Sequence, residues 1–324
     1  MLITETLIEA AGRTRVAGGE RLRLPVAMSK QRLDTLMAER GLFGSRSRAA
    51  ASVMAGEVYL EPARPSRRRA QKPGEMVEPD IEVSVDAQRS FVSRGGIKLA
   101  NALQESGLEV QGRWALDVGA STGGFTDCLL QRGVTGVVAV DVGYGVLDYG
   151  LRIDQRVSVM ERTNARTLTP EMLPSPPAEH ESLVTDRRIS VQHAAGRVLP
   201  DLATIDLSFI SLQKVLGAVL ECLGERYDVM ALVKPQFEVG RERIGKGGVV
   251  RDAGDRRTAL MSVGEAALGL GTAVLGYYSS GLPGPKGNRE TFIWLTEPGR
   301  AGRSSNDVVE DAAELESMAR RVEP

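Results

Sequence analysis

The chain has 324 residues, a formal net charge of -1, and 42% hydrophobic but only 4% aromatic residues. That length suits about two domains with aliphatic cores, and the near-zero charge excludes a protein that binds polyanions with its whole surface. Cys128 and Cys222 form no CxxC pair, which argues against a disulfide framework or a cysteine-built zinc site, and no apolar run approaches the ~20 residues of a membrane-spanning helix.

Residues 1–27 match nothing that follows. Glu5, Glu9, Arg13 and Arg15 interrupt their apolar residues, so they do not read as a signal peptide. They are expected to be an extension, as a short helix or disordered. Residues 28–88 read as a small α+β unit. Leu33, Leu36 and Met37 recur at helical spacing, and Gly41 can stop that helix. Ser45 can cap a second helix over 46–54, with Gly56 ending it. Val58, Tyr59 and Leu60 predict a strand, residues 73–75 a turn, and the alternation over 81–85 a second strand. Arg46, Arg48, Arg64, Arg67, Arg68, Arg69 and Lys72 crowd this unit. Such a run is more often a solvated surface than a site. On one shared face it would favour phosphate contacts.

Residues 89–94 read as a linker, and 95–297 alternate strands with helices. Strands are expected at 115–118, 137–141, 202–206, 229–234 and 291–295. Continuous apolar strands separated by helices imply a parallel sheet covered on both faces, an α/β Rossmann-like domain. Residues 298–324 read as a charged, helix-prone tail with no site.

The first strand runs into Asp117-Val118-Gly119-Ala120-Ser121-Thr122-Gly123-Gly124, with a helix opening at Phe125. A strand, a glycine turn and a helix bring backbone N–H groups close to a cofactor. Asp141 ends the next strand, where a carboxylate can accept from ribose hydroxyls. The spacing is GxxxGG rather than the GxGxxG of the nicotinamide fingerprint, so S-adenosylmethionine is favoured over NAD. A ligand-free tight turn is the bland alternative. Asp206 and Lys234 close two inferred parallel strands and so face the same crevice. Lys98 lies near a helix start and Glu290 precedes the last strand. Singly, each reads as a surface charge; together they make a candidate lysine–acid–lysine–acid catalytic site.

Several separated stretches carry a resemblance. They are Arg32-Leu33-Asp34, Ser93-Arg94-Gly95 with Lys98-Leu99, the 117–124 turn, Asp206-Leu207-Ser208-Phe209-Ile210-Ser211-Leu212, Lys234-Pro235-Gln236-Phe237-Glu238, and residues 283–290. From residue 28 to about 297 the chain resembles the TlyA family of ribosomal-RNA 2′-O-methyltransferases, often called haemolysins. The resemblance implies an S4-like RNA-binding domain followed by an FtsJ-like methyltransferase domain that uses S-adenosyl-L-methionine. It implies Lys98, Asp206, Lys234 and Glu290 as catalytic residues. For the cofactor it implies Asp117, Gly119, Ala120, Ser121, Gly123, Gly124, Phe125, Asp141, Asn164 and Asp206. The expected RNA contacts add Lys30, Arg32 and Arg94 to the arginines and lysine above. Cytidine in ribosomal RNA is the implied target.

Two features depart from the pattern. Glu61-Pro62 follows the 58–60 strand where S4-like units carry Asn-Gly. Residues 178–200 read as an insertion holding His180 and His193, both expected to be solvated loop histidines. Its Leu183-Val184-Thr185-Asp186 imitates the strand ending at Asp206, but only Asp206 is followed by Ser208-Phe209-Ile210-Ser211-Leu212. The expectation is a cytoplasmic, monomeric enzyme acting on ribosomal subunits, with no metal and no membrane. Its rivals are an RNA-binding factor without methyl transfer, a membrane-active haemolysin, and an NAD-dependent oxidoreductase.

Overall fold

A computed structural model describes residues 29–61, 67–85, 91–178, 180, 197–284, 286–299 and 312–323. The expectations for residues 1–27, Arg64, His193 and the 183–186 stretch lie outside them.

The first unit holds β1 (Gln31–Arg32), α1 (Leu33–Glu39), α2 (Arg46–Ala55), β2 (Val58–Glu61), β3 (Arg68–Arg69), β4 (Met76–Val77) and β5 (Glu82–Val85). Leu33, Leu36 and Met37 face inward from α1, and α2 supplies Ala49 and Val53. The Ser45 side chain accepts from Arg48 N–H at the start of α2, and Gly56 ends that helix at φ +77°. Both are the capping chemistry those residue types favour. β2 is flanked by β3 and β5, both antiparallel to it.

The second unit is a seven-stranded sheet with helices on its faces. Its strands are β6 (Trp114–Val118), β7 (Gly136–Val140), β8 (Val157–Met160), β9 (Leu202–Ile205), β10 (Asp228–Val233), β11 (Ala273–Ser279) and β12 (Thr291–Thr296), in the order β11-β12-β10-β9-β6-β7-β8. Its helices are α3 (Arg94–Ser106), α4 (Gly124–Gln131), α5 (Tyr149–Arg152), α6 (Leu216–Glu221), α7 (Pro235–Glu238), α8 (Ala253–Gly269) and α9 (Ala312–Val322). Strands β6, β7, β9 and β10 are buried along their lengths, as their apolar runs predict; β8, at the sheet edge, is half-buried, and all five pair in parallel.

Four expectations are corrected here. The sheet is not wholly parallel: β12 runs antiparallel to both β10 and β11. That reversal places the start of β12 beside the end of β10, with Thr291 opposite Val233. The strand expected at 202–206 ends at Ile205, and the residues from Asp206 to Ser211 form a loop. The charged C-terminal stretch is not a free tail. In α9, Leu315 and Ala319 are fully buried in the main core, and Glu323 just beyond accepts an ion pair from Arg256 at 2.8 Å. Four-residue spacing of small apolar groups gives α9 a face to bury. His180 is not solvated. Its ring is fully buried 5.8 Å from Trp114, with Nδ1 3.5 Å from the Thr135 hydroxyl, and burial holds its pKa below the usual histidine value.

Candidate active site

The strand ends that carry chemistry meet at one edge of the sheet. Gly119 follows β6 at φ +86°, and a Cβ there would sit 2.5 Å from the Asp206 carbonyl oxygen. Only glycine allows the turn and the loop after β9 to approach so closely. Ser121 is also left-handed, at φ 50°, and its N–H donates to Asp141 at 2.8 Å. Gly143 N–H donates to the other Asp141 oxygen at 2.6 Å. Each carboxylate oxygen keeps a lone pair for a further donor.

Lys234 follows β10 directly and is the N-cap residue of α7. Its Nζ pairs with Asp206 and donates to the Ser208 hydroxyl at 3.1 Å. Lys98, in the second turn of α3, pairs with Glu290, which precedes β12. Both members of the second pair are buried, with side chains 8% and 1% exposed. Gly284 is needed beside them, because a Cβ there would collide with the Glu290 carboxylate. The four residues predicted as catalytic therefore come together as two ion pairs.

Two cavities of about 500 Å³ each adjoin at this point and share Lys98, Ser121 and Asp206. The first is walled by Gly119, Ala120, Ser121, Gly124 and Phe125, by Arg94, and by Ala51 and Met54 of α2. The second holds all four candidate catalytic residues, with Ser208, Phe209, Gln236, Phe237, Lys286 and Asn288 around them. Phe209 stands 92% exposed at φ 68°, its ring 5.6 Å from Phe237. The loop bearing it is tied down by Glu238, which accepts from the Ser211 hydroxyl at 2.6 Å and from Leu212 N–H at 2.9 Å. Burial raises the Glu238 pKa. Reading the sequence missed Ser208, Phe209, Phe237 and Lys286 as parts of the site. The available signal was an aromatic three residues beyond Asp206, used only to choose between two strands.

Other predicted cofactor residues lie elsewhere. Asp117 does not line either cavity. It is fully buried and accepts from Thr126 at 2.6 Å and Thr204 at 3.0 Å, so it braces the turn from beneath. Gly123 is turned against Leu147 and Leu151. Asn164 caps a short 3-10 turn after β8, accepting from Arg166 N–H at 3.1 Å. Asp141 follows β7 directly and Asn164 lies four residues beyond β8, and neither lines the cavities.

Burial pushes the Asp117 pKa up to about 6, against the pull of its two threonine hydroxyls. Between its ordinary value and about 6 the folded protein binds more protons than the unfolded chain. The stability contributed by this group is therefore fully present below that window and is lost as pH rises through it, by roughly 3 kcal/mol. Urea unfolding at pH 4 and pH 7 should show this loss in the native protein and not in Asp117→Asn. Equal pH dependence in the two would contradict it.

The basic residues of the first unit are partly neutralised. Arg32 and Arg46 both pair with buried Asp34, at 2.7 and 3.3 Å, and the Arg32 hydrogen bonds hold the Asp34 carboxyl down to about 2. Lys30 pairs with Glu78, Arg67 with Glu61 and Arg68 with Glu75. Arg67 and Arg69 lie over the Tyr59 ring at 4.1 and 5.3 Å. Arg48 and Lys72 carry no ion pair among the described residues. Arg94 donates to the Pro283 carbonyl at 3.0 Å, joining the first cavity to the turn before Glu290. Arg64 lies outside the described residues.

Among the described residues no helix is long and apolar enough to cross a membrane, and no group of three or more His, Cys, Asp or Glu could hold a metal.

Residues 91–297 match the FtsJ-like methyltransferase family. The chain is 44% identical, over 84% of its length and 92% of the relative's, to the 16S/23S rRNA (cytidine-2′-O)-methyltransferase TlyA of Mycobacterium tuberculosis. It is 33% identical, over 80% of its length and 97% of the relative's, to Hemolysin A of Brachyspira hyodysenteriae. A solved structure from Streptococcus thermophilus, provisionally named a hemolysin, superposes with a TM-score of 0.61 at 35% identity, covering 91% of this chain and 96% of that one.

Proposed function

The chain belongs to the FtsJ-like methyltransferase family and is a close relative of the TlyA ribosomal-RNA methyltransferases, and from that premise we propose that it transfers a methyl group from S-adenosylmethionine to the ribose 2′-hydroxyl of a cytidine in ribosomal RNA. The observation that carries this reading is the Lys98–Glu290 and Lys234–Asp206 quartet, set in a cavity that opens onto the glycine-turn cavity.

The first cavity fits an adenosine-bearing cofactor. Gly119 and Gly124 let the turn pack closely against the Asp206 carbonyl and against Ser93 and Gly96, Ser121 and Phe125 wall the cavity, and Asp141, beyond its lining, retains capacity for ribose hydroxyls. S-adenosylmethionine bound there supplies an electrophilic methyl group. The protein's task is then to hold a weakly acidic hydroxyl in line and deal with its proton. As an ammonium paired to Asp206, Lys234 stands where it can stabilise the developing alkoxide; once its own proton has passed to solvent, it can take the hydroxyl proton. Asp206 and Ser208 fix the position of its Nζ. Lys98 and Glu290 border the same cavity and orient the ribose. Phe209 offers an exposed ring on which an unstacked base can rest.

The α+β unit that precedes this domain is read as S4-like and as the source of affinity for the rRNA backbone, through Arg48, Arg67, Arg69 and Lys72. The enzyme is read as a cytoplasmic monomer acting on ribosomal subunits. Binding of purified protein to subunits should weaken about a hundredfold between 50 and 200 mM salt, as about four phosphate contacts require. Salt-independent binding would overturn that role. Label from S-adenosylmethionine should enter rRNA of one or both subunits. No incorporation into either would overturn the proposed function and favour a binding factor without methyl transfer.

A further inference from the structure

Three lysines line the second cavity: Lys98, Lys234 and Lys286. The first two are buried and matched one to one by Glu290 and Asp206. Lys286 is exposed and has no acidic partner among the described residues. The cavity therefore keeps one uncompensated positive charge, at its rim.

That charge stands on a well-held turn. Gly284 N–H donates to the Asn288 carbonyl and Gly287 N–H to the Gly284 carbonyl, both at 2.8 Å. Asn288 is buried. Its Oδ1 accepts from Val250 N–H at 2.9 Å and its Nδ2 donates to the Gly248 carbonyl at 2.8 Å. These bonds rivet the turn to the neighbouring 245–250 loop. Gly248 is left-handed, at φ +80°, and a Cβ there would meet the Lys286 Cδ and Nζ at 3.6 Å. The lysine side chain thus lies along the bare face of Gly248. Two residues after Asn288, the same segment delivers Glu290 to Lys98. Backbone order at Lys286 is supplied by the active site itself, so little more than side-chain freedom is lost when it holds a ligand.

A ribose 2′-hydroxyl never arrives alone in RNA. The adjacent 3′ carbon carries a phosphodiester, so a nucleotide whose 2′ oxygen reaches Lys234 brings an anion into the same cavity. The quartet is balanced within itself and has no charge to spare for it. We infer that Lys286 binds the phosphodiester flanking the methylated ribose, acting as the phosphate clamp that seats the target nucleotide against Lys234. This rests on the methyltransferase reading above. It gives the cavity a substrate contact of defined chemistry, a single cation for a single phosphate.

The test compares the native protein, Lys286→Ala and Lys286→Arg in methyl transfer to ribosomal subunits across a salt series. Cofactor affinity is measured separately by calorimetry with S-adenosylmethionine alone. Lys286→Ala should raise KM for the subunit roughly tenfold with kcat within about twofold, and make the salt dependence shallower by about one charge. Lys286→Arg should restore most of the native KM, and cofactor affinity should be the same in all three. Unchanged KM and salt slope in Lys286→Ala would overturn the inference. So would a fall in kcat at constant KM, which would put Lys286 in the chemical step. Absence of label with the native protein would instead defeat the methyltransferase reading.

Discussion

Lys234→Ala is expected to lower methyl transfer by at least ~100-fold while leaving S-adenosylmethionine affinity within about twofold of native. The expectation follows from where the lysine stands. Its Nζ lies in the second cavity, paired to Asp206 and bonded to Ser208, and it does not line the first. Removing it takes away the group that handles the hydroxyl proton without touching the glycine turn. Its neighbour gives a control. Asp206 lines both cavities, so Asp206→Ala should reduce the rate and weaken cofactor binding together. A Lys234→Ala enzyme that transfers methyl groups near the native rate would remove Lys234 from the mechanism.

Glu290→Ala should cost about 3–5 kcal/mol of folding stability as well as activity. Its carboxylate is 1% exposed and compensates the Lys98 ammonium, itself 8% exposed. Deleting the acid leaves a buried charge with no counter-ion, which is far more costly than deleting both partners. The double variant Lys98→Met/Glu290→Ala should therefore regain most of the lost stability in urea unfolding and still be inactive. If Glu290→Ala unfolded at the native urea concentration, the pair would be solvated and the account of it wrong. If the double variant were active, the pair would serve folding alone.

Much of this site was legible in the chain because its parts are strand ends. Apolar runs that stop at Asp206 and Lys234 must place those side chains at one edge of a parallel sheet, and the glycine turn after β6 belongs to the same edge. The partners were less legible. Glu290 reaches this edge only because β12 runs antiparallel beside β10, and an apolar pentad does not announce its direction. The same pairing explains why Glu290 meets Lys98 of α3, two residues that the sequence places in one site without pairing them. The family resemblance implies Asp117 as a cofactor contact along with the rest of the 117–124 turn. Inside a fully buried strand its side chain can only point into the protein, and Thr126 and Thr204 satisfy it there.

Other features rest on contacts that no local pattern encodes. Phe209 would be read as core from its type, yet the loop after β9 turns it outward at a left-handed backbone position. His180 stands in a polar stretch but finds Trp114 and Thr135 beneath the sheet. The four-residue spacing of Leu315 and Ala319 was visible in the charged C-terminal stretch. What hid its role was the distance along the chain to its partners on α8 and β11. In the first unit the crowding of arginines was plain, while the acids that neutralise Arg32, Arg46, Arg67 and Arg68 come from separate elements.

The central claim is that this quartet methylates a ribose hydroxyl rather than a base. Methylated rRNA labelled by the purified protein can be digested with alkali, which cleaves through a free 2′-hydroxyl and stops where that oxygen carries a methyl group. The account predicts that the label survives in an alkali-resistant dinucleotide and, after complete enzymatic digestion, appears as 2′-O-methylcytidine. Label released in a mononucleotide bearing a methylated base would contradict it.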